Sequence, residues 1–232
     1  MISVIIPVYN EERVIKKTLR YLWKHDARNV IKEIIVIDGG STDNTIEAAR
    51  SEGVRVFLSS KKGRAAQMNY GASLATTDIL YFLHADTFPP PTFINDITQA
   101  VKRGFEAGCF RLSFDYKHWF LKANCWFTRF NINAFRFGDQ SLFVMKNLFN
   151  NTGGFCEEHL IMEDQHLIIR LRKHNKFTIM PRAVITSARK YIGNGIYKTQ
   201  SVFFLIFFMY QLGFSQQALV RMYKKLMQQD KL

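Results

Sequence analysis

Apolar and polar positions alternate in short blocks along the first hundred residues, and the blocks are of two kinds. Ile2–Ile6 is a β-branched run that predicts a buried strand. After it, Asn10 predicts a helix cap, because Ile15, Leu19 and Leu22 fall on one helical face. Ile34–Ile37 predicts a second buried strand, followed by Asp38-Gly39-Gly40-Ser41 and a new helix start at Thr42-Asp43. Val54–Leu58 predicts a third strand, Arg64–Ala75 a helix and Ile79–Leu83 a fourth strand. Strands and helices joined by short links predict βαβ units and a parallel sheet. Past about residue 105 the order loosens: Ala107–Phe114 and Ser141–Val144 read as strands, and Asp164–Lys173 as a helix. With no repeat or Pro/Ser-rich linker, the simplest organisation is one α/β domain with a helical C-terminal extension.

Two aromatic stretches change that picture. Residues 114–137 hold nine aromatic side chains, among them Trp119, Trp126, Phe127, Phe130 and Phe137, which suit packing, sugar or acyl contacts. Thr199–Val220 carries no charge, and Val202–Tyr210 is apolar throughout, yet Gln211, Gly213, Ser215, Gln216 and Gln217 interrupt it. A span needs about 20 mostly apolar residues. The segment therefore predicts either a buried helix or a helix lying in a membrane interface.

The 232 residues are 47% hydrophobic and 22% charged, which excludes a disordered chain. Cys109, Cys125 and Cys156 include no CxxC pair, arguing against a disulfide framework or zinc ribbon and for a reducing compartment. Met1–Ile6 lacks a basic lead, so no signal peptide is read there, and the expected location is cytoplasmic, extending to the inner face of the membrane. The net charge of +13 is uneven. Residues 1–164 are nearly balanced, whereas residues 165–232 carry twelve basic side chains against Asp230 alone. That tail predicts an anionic partner, with nucleic acid, a membrane face, a phosphorylated ligand and a merely solvated surface all open.

Ligands of an open parallel sheet bind beyond the carboxyl ends of its strands. Three polar clusters fall there: Pro7-Val8-Tyr9-Asn10-Glu11-Glu12, Asp38-Gly39-Gly40-Ser41 and His84-Ala85-Asp86-Thr87. Each alone would be a capped turn; three at one edge predict a ligand crevice. No GxGxxG follows the first strand and no Gly-Lys pair exists, which disfavours a dinucleotide fingerprint and a P-loop. A divalent cation is the remaining common device for holding phosphates. His84 and Asp86, two residues apart after a strand, offer an imidazole and a carboxylate, a set suited to Mn²⁺ more than Mg²⁺.

The ordered motifs VIIPVYNEE, VIDGGSTD, GRAAQMN, FLHAD, GDQ and MED resemble the family 2 glycosyltransferases of the GT-A fold, over about residues 1–190. FLHAD, GDQ, MED, SARK and LGFS…MY further resemble a small bacterial arsenosugar-biosynthesis-type subgroup. The resemblance implies a Rossmann-like, mostly parallel sheet flanked by helices in residues 1–190, with residues 191–232 as a helical extension. It implies that Pro7, Tyr9, Glu11 and Asp38 hold the base and ribose of a nucleotide-sugar, and that Arg64 lies near the diphosphate. Asp86 matches the last carboxylate of the family's DxD motif, which meets the metal, with His84 standing where that motif opens with Asp. Asp164 matches the catalytic base, and Asp139 and Gln140 an acceptor-side loop. Glu163 is an acceptor ligand or a helix cap, and Arg189 reaches the departing phosphates from the C-terminal third.

Inverting displacement of a nucleoside diphosphate needs a base for the acceptor hydroxyl and positive charge for the leaving group. The expected protein is thus an inverting, metal-assisted transferase of a single sugar from a UDP- or GDP-sugar to a hydroxyl acceptor, lipid-linked acceptors included. The QxxRW motif of processive synthases is absent. The alternative is a catalytically silent GT-A domain acting as a membrane- or partner-binding module. A nucleic-acid-binding protein is disfavoured by the motif order.

Overall fold

A computed structural model describes residues 1–135, 138–174 and 176–227. Phe137 of the aromatic segment and Asp230 of the tail lie outside the described residues. The chain runs β1 (Ile2–Val8), α1 (Ile15–Lys24), β2 (Ile31–Asp38), α2 (Thr45–Arg50), β3 (Arg55–Leu58), α3 (Arg64–Leu74), β4 (Ile79–Phe82), β5 (Thr87–Phe88) and α4 (Phe93–Lys102). It continues with β6 (Ala107–Phe114), α5 (Trp119–Phe127), β7 (Leu142–Met145), α6 (Lys146–Asn151), α7 (Glu163–Arg172), β8 (Phe177–Thr186), α8 (Arg189–Asn194), α9 (Ile196–Gln211) and α10 (Gln216–Leu226).

The strands form one mixed sheet in the order β3-β2-β1-β4-β7-β6-β8-β5. β1 pairs in parallel with β2 and β4, while β7 lies antiparallel between β4 and β6 and β5 antiparallel beside β8. Alternation along β1 explains the layering. Ile2, Val4, Ile6 and Val8 face a core shared with α1, α2 and α4, whereas Ile5, with Ile35 and Ile37 of β2, faces α3, α6 and α7. Both faces of the sheet are therefore covered, which is why its central strands read as unbroken apolar runs.

The structure departs from the sequence pattern at three places. Asn10 does not cap α1: the helix begins after Val14 without a side-chain cap, and Asn10, at φ 53°, accepts from the Thr42 amide at 2.8 Å instead. Strand β8, which the sequence pattern does not predict, carries Pro181 and Arg182 in its interior. They fall at a register shift between Phe110↔Met180 and Arg111↔Ala183, the position at which a strand tolerates proline. The uncharged Thr199–Val220 segment is two helices, since Gly213 at φ 78° ends α9 and the Ser215 hydroxyl accepts from the Ala218 amide to start α10. No helix among the described residues is long and apolar enough to cross a membrane.

Candidate active site

The strand order reverses between β1 and β4, the switch point at whose carboxyl edge an open α/β sheet forms its ligand crevice. The Leu83 amide donates to the Ile5 carbonyl at 3.0 Å, so the backbone N–H and C=O groups of the odd residues of β1 point toward β4. Buried Pro7, which has no N–H, falls on that side just beyond the Ile5↔Phe82 pair, where β4 has turned away. Gln67 of α3 donates to the carbonyls of Val8 and Ile37 at 2.9 and 2.8 Å, bridging the ends of β1 and β2. The two following loops are laced together. The Asn10 amide donates to the Ser41 hydroxyl at 2.9 Å and the Glu11 amide to the Thr45 hydroxyl at 2.7 Å. Asp38 is fully buried and turned into its own loop, accepting from the amides of Gly40 and Ser41 at 2.8 Å each. Tyr9 is half-buried at the crevice rim.

Beyond β4 the chain makes the His84–Thr87 turn, held by the Thr18 hydroxyl on the Ala85 carbonyl and by the Ser187 amide on the Asp86 carbonyl. Two groups of charges converge on it. Arg189, from the start of α8, donates through both Nη atoms to Glu11 at 2.6 and 2.7 Å and lies 3.0 Å from Asp86. Opposite, His84 Nδ1 stands 2.9 Å from Asp139. Arg64 Nη1 reaches Glu163 at 3.1 Å and Asp164 at 3.8 Å. Gly138 joins these groups: a Cβ there would stand 1.9 Å from Asp164 Oδ2 and 3.1 Å from His84 Cε1. Only glycine lets Asp164 and the His84 turn approach so closely. Met162, at φ 67°, turns the chain immediately before Glu163 and Asp164 at the head of α7.

Nine of the twelve residues singled out in the sequence thus reach the crevice or its rim: Tyr9, Glu11, Arg64, His84, Asp86, Asp139, Glu163, Asp164 and Arg189. Pro7 and Asp38 build its floor and one wall. Gln140 is fully buried, its amide donating to the Phe135 carbonyl at 2.9 Å, so it supports the Asp139 loop from behind. Lys190 was not singled out, although it stands in the SARK stretch. It shares the field of Arg64, Asp139 and Asp86, and burial, then Arg64, pulls its ammonium below the ordinary lysine value.

Burial, reinforced by the charge of Glu163, pushes Asp164 up to about 7 against the pull of His84 and Arg64. Burial likewise raises Asp86, with Arg189 opposing. Carboxylates so perturbed recur at sites of proton transfer and cation binding, and also in structural ion-pair networks. Glu11, Asp86 and His84 are cation-binding residue types, but their ligand atoms do not converge within 4.8 Å as a set of three, and His84 is paired with Asp139. The Glu11 and Asp86 carboxylates already share one positive group, the Arg189 guanidinium, and His84 adds an imidazole.

Comparison with known proteins agrees with this geometry. The profile of glycosyl transferase family 2 matches residues 3–158. A dolichyl N-acetyl-α-D-glucosaminyl phosphate 3-β-D-2,3-diacetamido-2,3-dideoxy-β-D-glucuronosyltransferase of Methanococcus voltae is 28% identical over 109 residues, covering 44% of this chain and 34% of the relative. The match thus spans about a third of that protein's length. Among solved structures, Staphylococcus aureus TarS 1–349 superposes with a TM-score of 0.69 at 14% identity, over 95% of this chain and 68% of that one. The mannosyltransferase PcManGT of Pyrobaculum calidifontis, in complex with GDP-Man and Mn²⁺, gives 0.68 at 19% identity, over 87% and 59%. The fold is the GT-A fold.

Proposed function

The chain belongs to glycosyl transferase family 2, and from that premise we propose that it is an inverting glycosyltransferase that moves a single sugar from a UDP- or GDP-sugar to a hydroxyl acceptor. One observation carries the reading: the buried Asp164 carboxylate meets the His84 turn at Gly138, and Asp86 of that same turn meets Arg189, which also holds Glu11. A base for inverting displacement needs that placement, within reach of the acceptor hydroxyl and opposite the leaving group.

The residues divide the work. Tyr9, Glu11 and the loop built on Pro7 and Asp38 receive the nucleoside. Arg64, Arg189 and Lys190 face the diphosphate and stabilise its growing negative charge. Arg189, which bonds to Glu11 and Asp86, reaches the phosphates by turning from these carboxylates. Asp86 and His84 would hold the divalent cation, Mn²⁺ in preference to Mg²⁺, which supplies further positive charge to the leaving group. Asp139, supported by Gln140, and Glu163 orient the acceptor so that Asp164 takes its proton. PcManGT with GDP-Man and Mn²⁺, and TarS with UDP-GlcNAc, support the donor class. The relative named for a dolichyl phosphate sugar supports a lipid-linked acceptor. The motif order also supports the arsenosugar-type subgroup.

The test is Asp164→Asn. Transfer should fall by about 10²- to 10⁴-fold with donor affinity nearly unchanged; a variant within threefold of the parent would remove the assignment. A second reading is a catalytically silent domain docked at a membrane, favoured by the His84–Asp139 pairing and by exposed Phe204 and Phe208 on α9. Donor turnover by the parent, lost in Asp164→Asn, excludes it.

A further inference from the structure

One group of metal-ligating side chains lies outside the crevice and has no part in the chemistry above. Cys156 and His159 stand on the segment between α6 and α7, and His166 on the first half of α7. Their ligand atoms all lie within 4.8 Å of one another, and among the described residues no other set of three His, Cys, Asp or Glu does so. The two imidazole rings stack at 4.1 Å with 14° between their planes. Nδ1 of His159 and Nδ1 of His166 are both buried without a hydrogen-bond partner. Buried ring nitrogens are ordinarily bonded, so two orphaned ones beside a thiol need a reason.

We infer that Cys156, His159 and His166 form a zinc site, with one sulfur and two imidazole nitrogens as protein ligands and water in the fourth position. The donor set is borderline-soft, which suits Zn²⁺ and not the oxygen-seeking Mg²⁺ or Ca²⁺. Zinc bonds of about 2.3 Å to sulfur and about 2.0–2.1 Å to nitrogen hold neighbouring ligand atoms about 3.3–3.7 Å apart in a tetrahedron. Closing the present spacing, up to 4.8 Å, to that range requires the two imidazoles to turn out of their 14° stack, because each nitrogen lone pair lies in its own ring plane. Burial keeps both imidazoles neutral, His166 at about 4, which is the form that binds metal. Glu163 and Glu158 add favourable charge at His159. Arg170 opposes it, but its guanidinium is anchored on the carbonyls of Thr152 and Gly154. Because His159 precedes and His166 follows Glu163 and Asp164, the ion would tie this loop to α7 on both sides of the two carboxylates.

The experiment uses the untagged 232-residue chain, stripped with a chelator, reloaded with ZnCl₂ and desalted. The parent should keep one zinc per chain and unfold at a higher temperature than its metal-free form. Cys156→Ser, His159→Gln and His166→Gln should each lose both effects, while Asp86→Ala keeps them, separating this site from the crevice. Cobalt substitution should give the parent a thiolate-to-cobalt charge-transfer band that Cys156→Ser lacks. Alkylation of the parent guards against a misfolded variant: zinc should protect Cys156 and leave Cys125 as reactive as before. Retention of no zinc by the parent overturns the site. So does equal retention by all three variants, or loss of zinc in Asp86→Ala with retention in Cys156→Ser.

Discussion

Asp164 is held in conflict, a carboxylate buried beside Glu163 and relieved only in part by Arg64 and His84. Its folded pKa lies above the unfolded value, so the native state binds the proton more tightly, and this group's contribution to stability declines as pH rises from about 4 to about 7. Two expectations follow from the sign. A base that must be ionised makes kcat/KM fall about tenfold per pH unit below about 7; a profile flat from about pH 5.5 to 8 sinks the role. Asp164→Asn removes the buried charge and should melt above the parent at pH 8, the difference closing near pH 4. At the neighbouring turn, Asp86 offers charge as well as a ligand atom, whereas His84 is already engaged by Asp139. Asp86→Ala should therefore weaken Mn²⁺-dependent UDP binding more than His84→Ala does, with Mn²⁺ ahead of Mg²⁺ in the parent. Calorimetric titrations identical for all three proteins would reject the cation site.

Among the elements, α3 shows how a helix transmits packing to chemistry. Its Gly71 lies so close to the sheet that a Cβ would stand 2.4 Å from Ile5 Cγ2 and 3.2 Å from Ile37 Cγ1, both fully buried residues. The same helix carries Gln67 to the ends of β1 and β2 and Arg64 to Glu163. Gly71→Ala should cost about 1–3 kcal/mol of stability by overpacking, read from the urea midpoint, and should raise the KM for donor as Arg64 is displaced. An unchanged midpoint would mean that the helix moves off the sheet freely. The periodicity of α3 was legible in the sequence; its closeness to the sheet was not, because a glycine inside a helical pattern carries no sign of what it faces.

At the scale of the molecule, α9 is apolar on two faces. Val202, Ile206 and Met209 pack against Leu219 and Tyr223 of α10, while Tyr197, Phe204, Leu205 and Phe208 point outward. The two-helix unit is docked behind Glu163 and Asp164, where Gln216 accepts from the Leu160 and Ile161 amides at 3.1 and 3.2 Å. An apolar stripe with exposed Lys198, Arg221, Lys224 and Lys225 on the same unit suits an anionic membrane face, to which each cation adds about 1 kcal/mol. The protein should co-sediment with anionic vesicles at low salt, less so at high salt or with neutral vesicles. Phe204→Ser with Phe208→Ser should abolish the binding. Protein left in the supernatant with anionic vesicles at low salt would make the stripe an interface for something else.

The sequence alone determined β1 to β4, β6 and β7 and the loops at their carboxyl edge, but not β5 or β8. Alternating βαβ units oblige successive loops to emerge at one edge, so VYNEE, DGGS and HAD had to meet whatever the details of packing. Tertiary structure decided which charges pair. Arg189 meets Glu11 across 178 positions of chain, Gly138 gives Asp164 room beside His84, and Cys156, His159 and His166 gather from a loop and a helix. Local pattern reports which face of an element is apolar. Contacts between distant segments depend on how closely those faces pack, which no short stretch of sequence encodes.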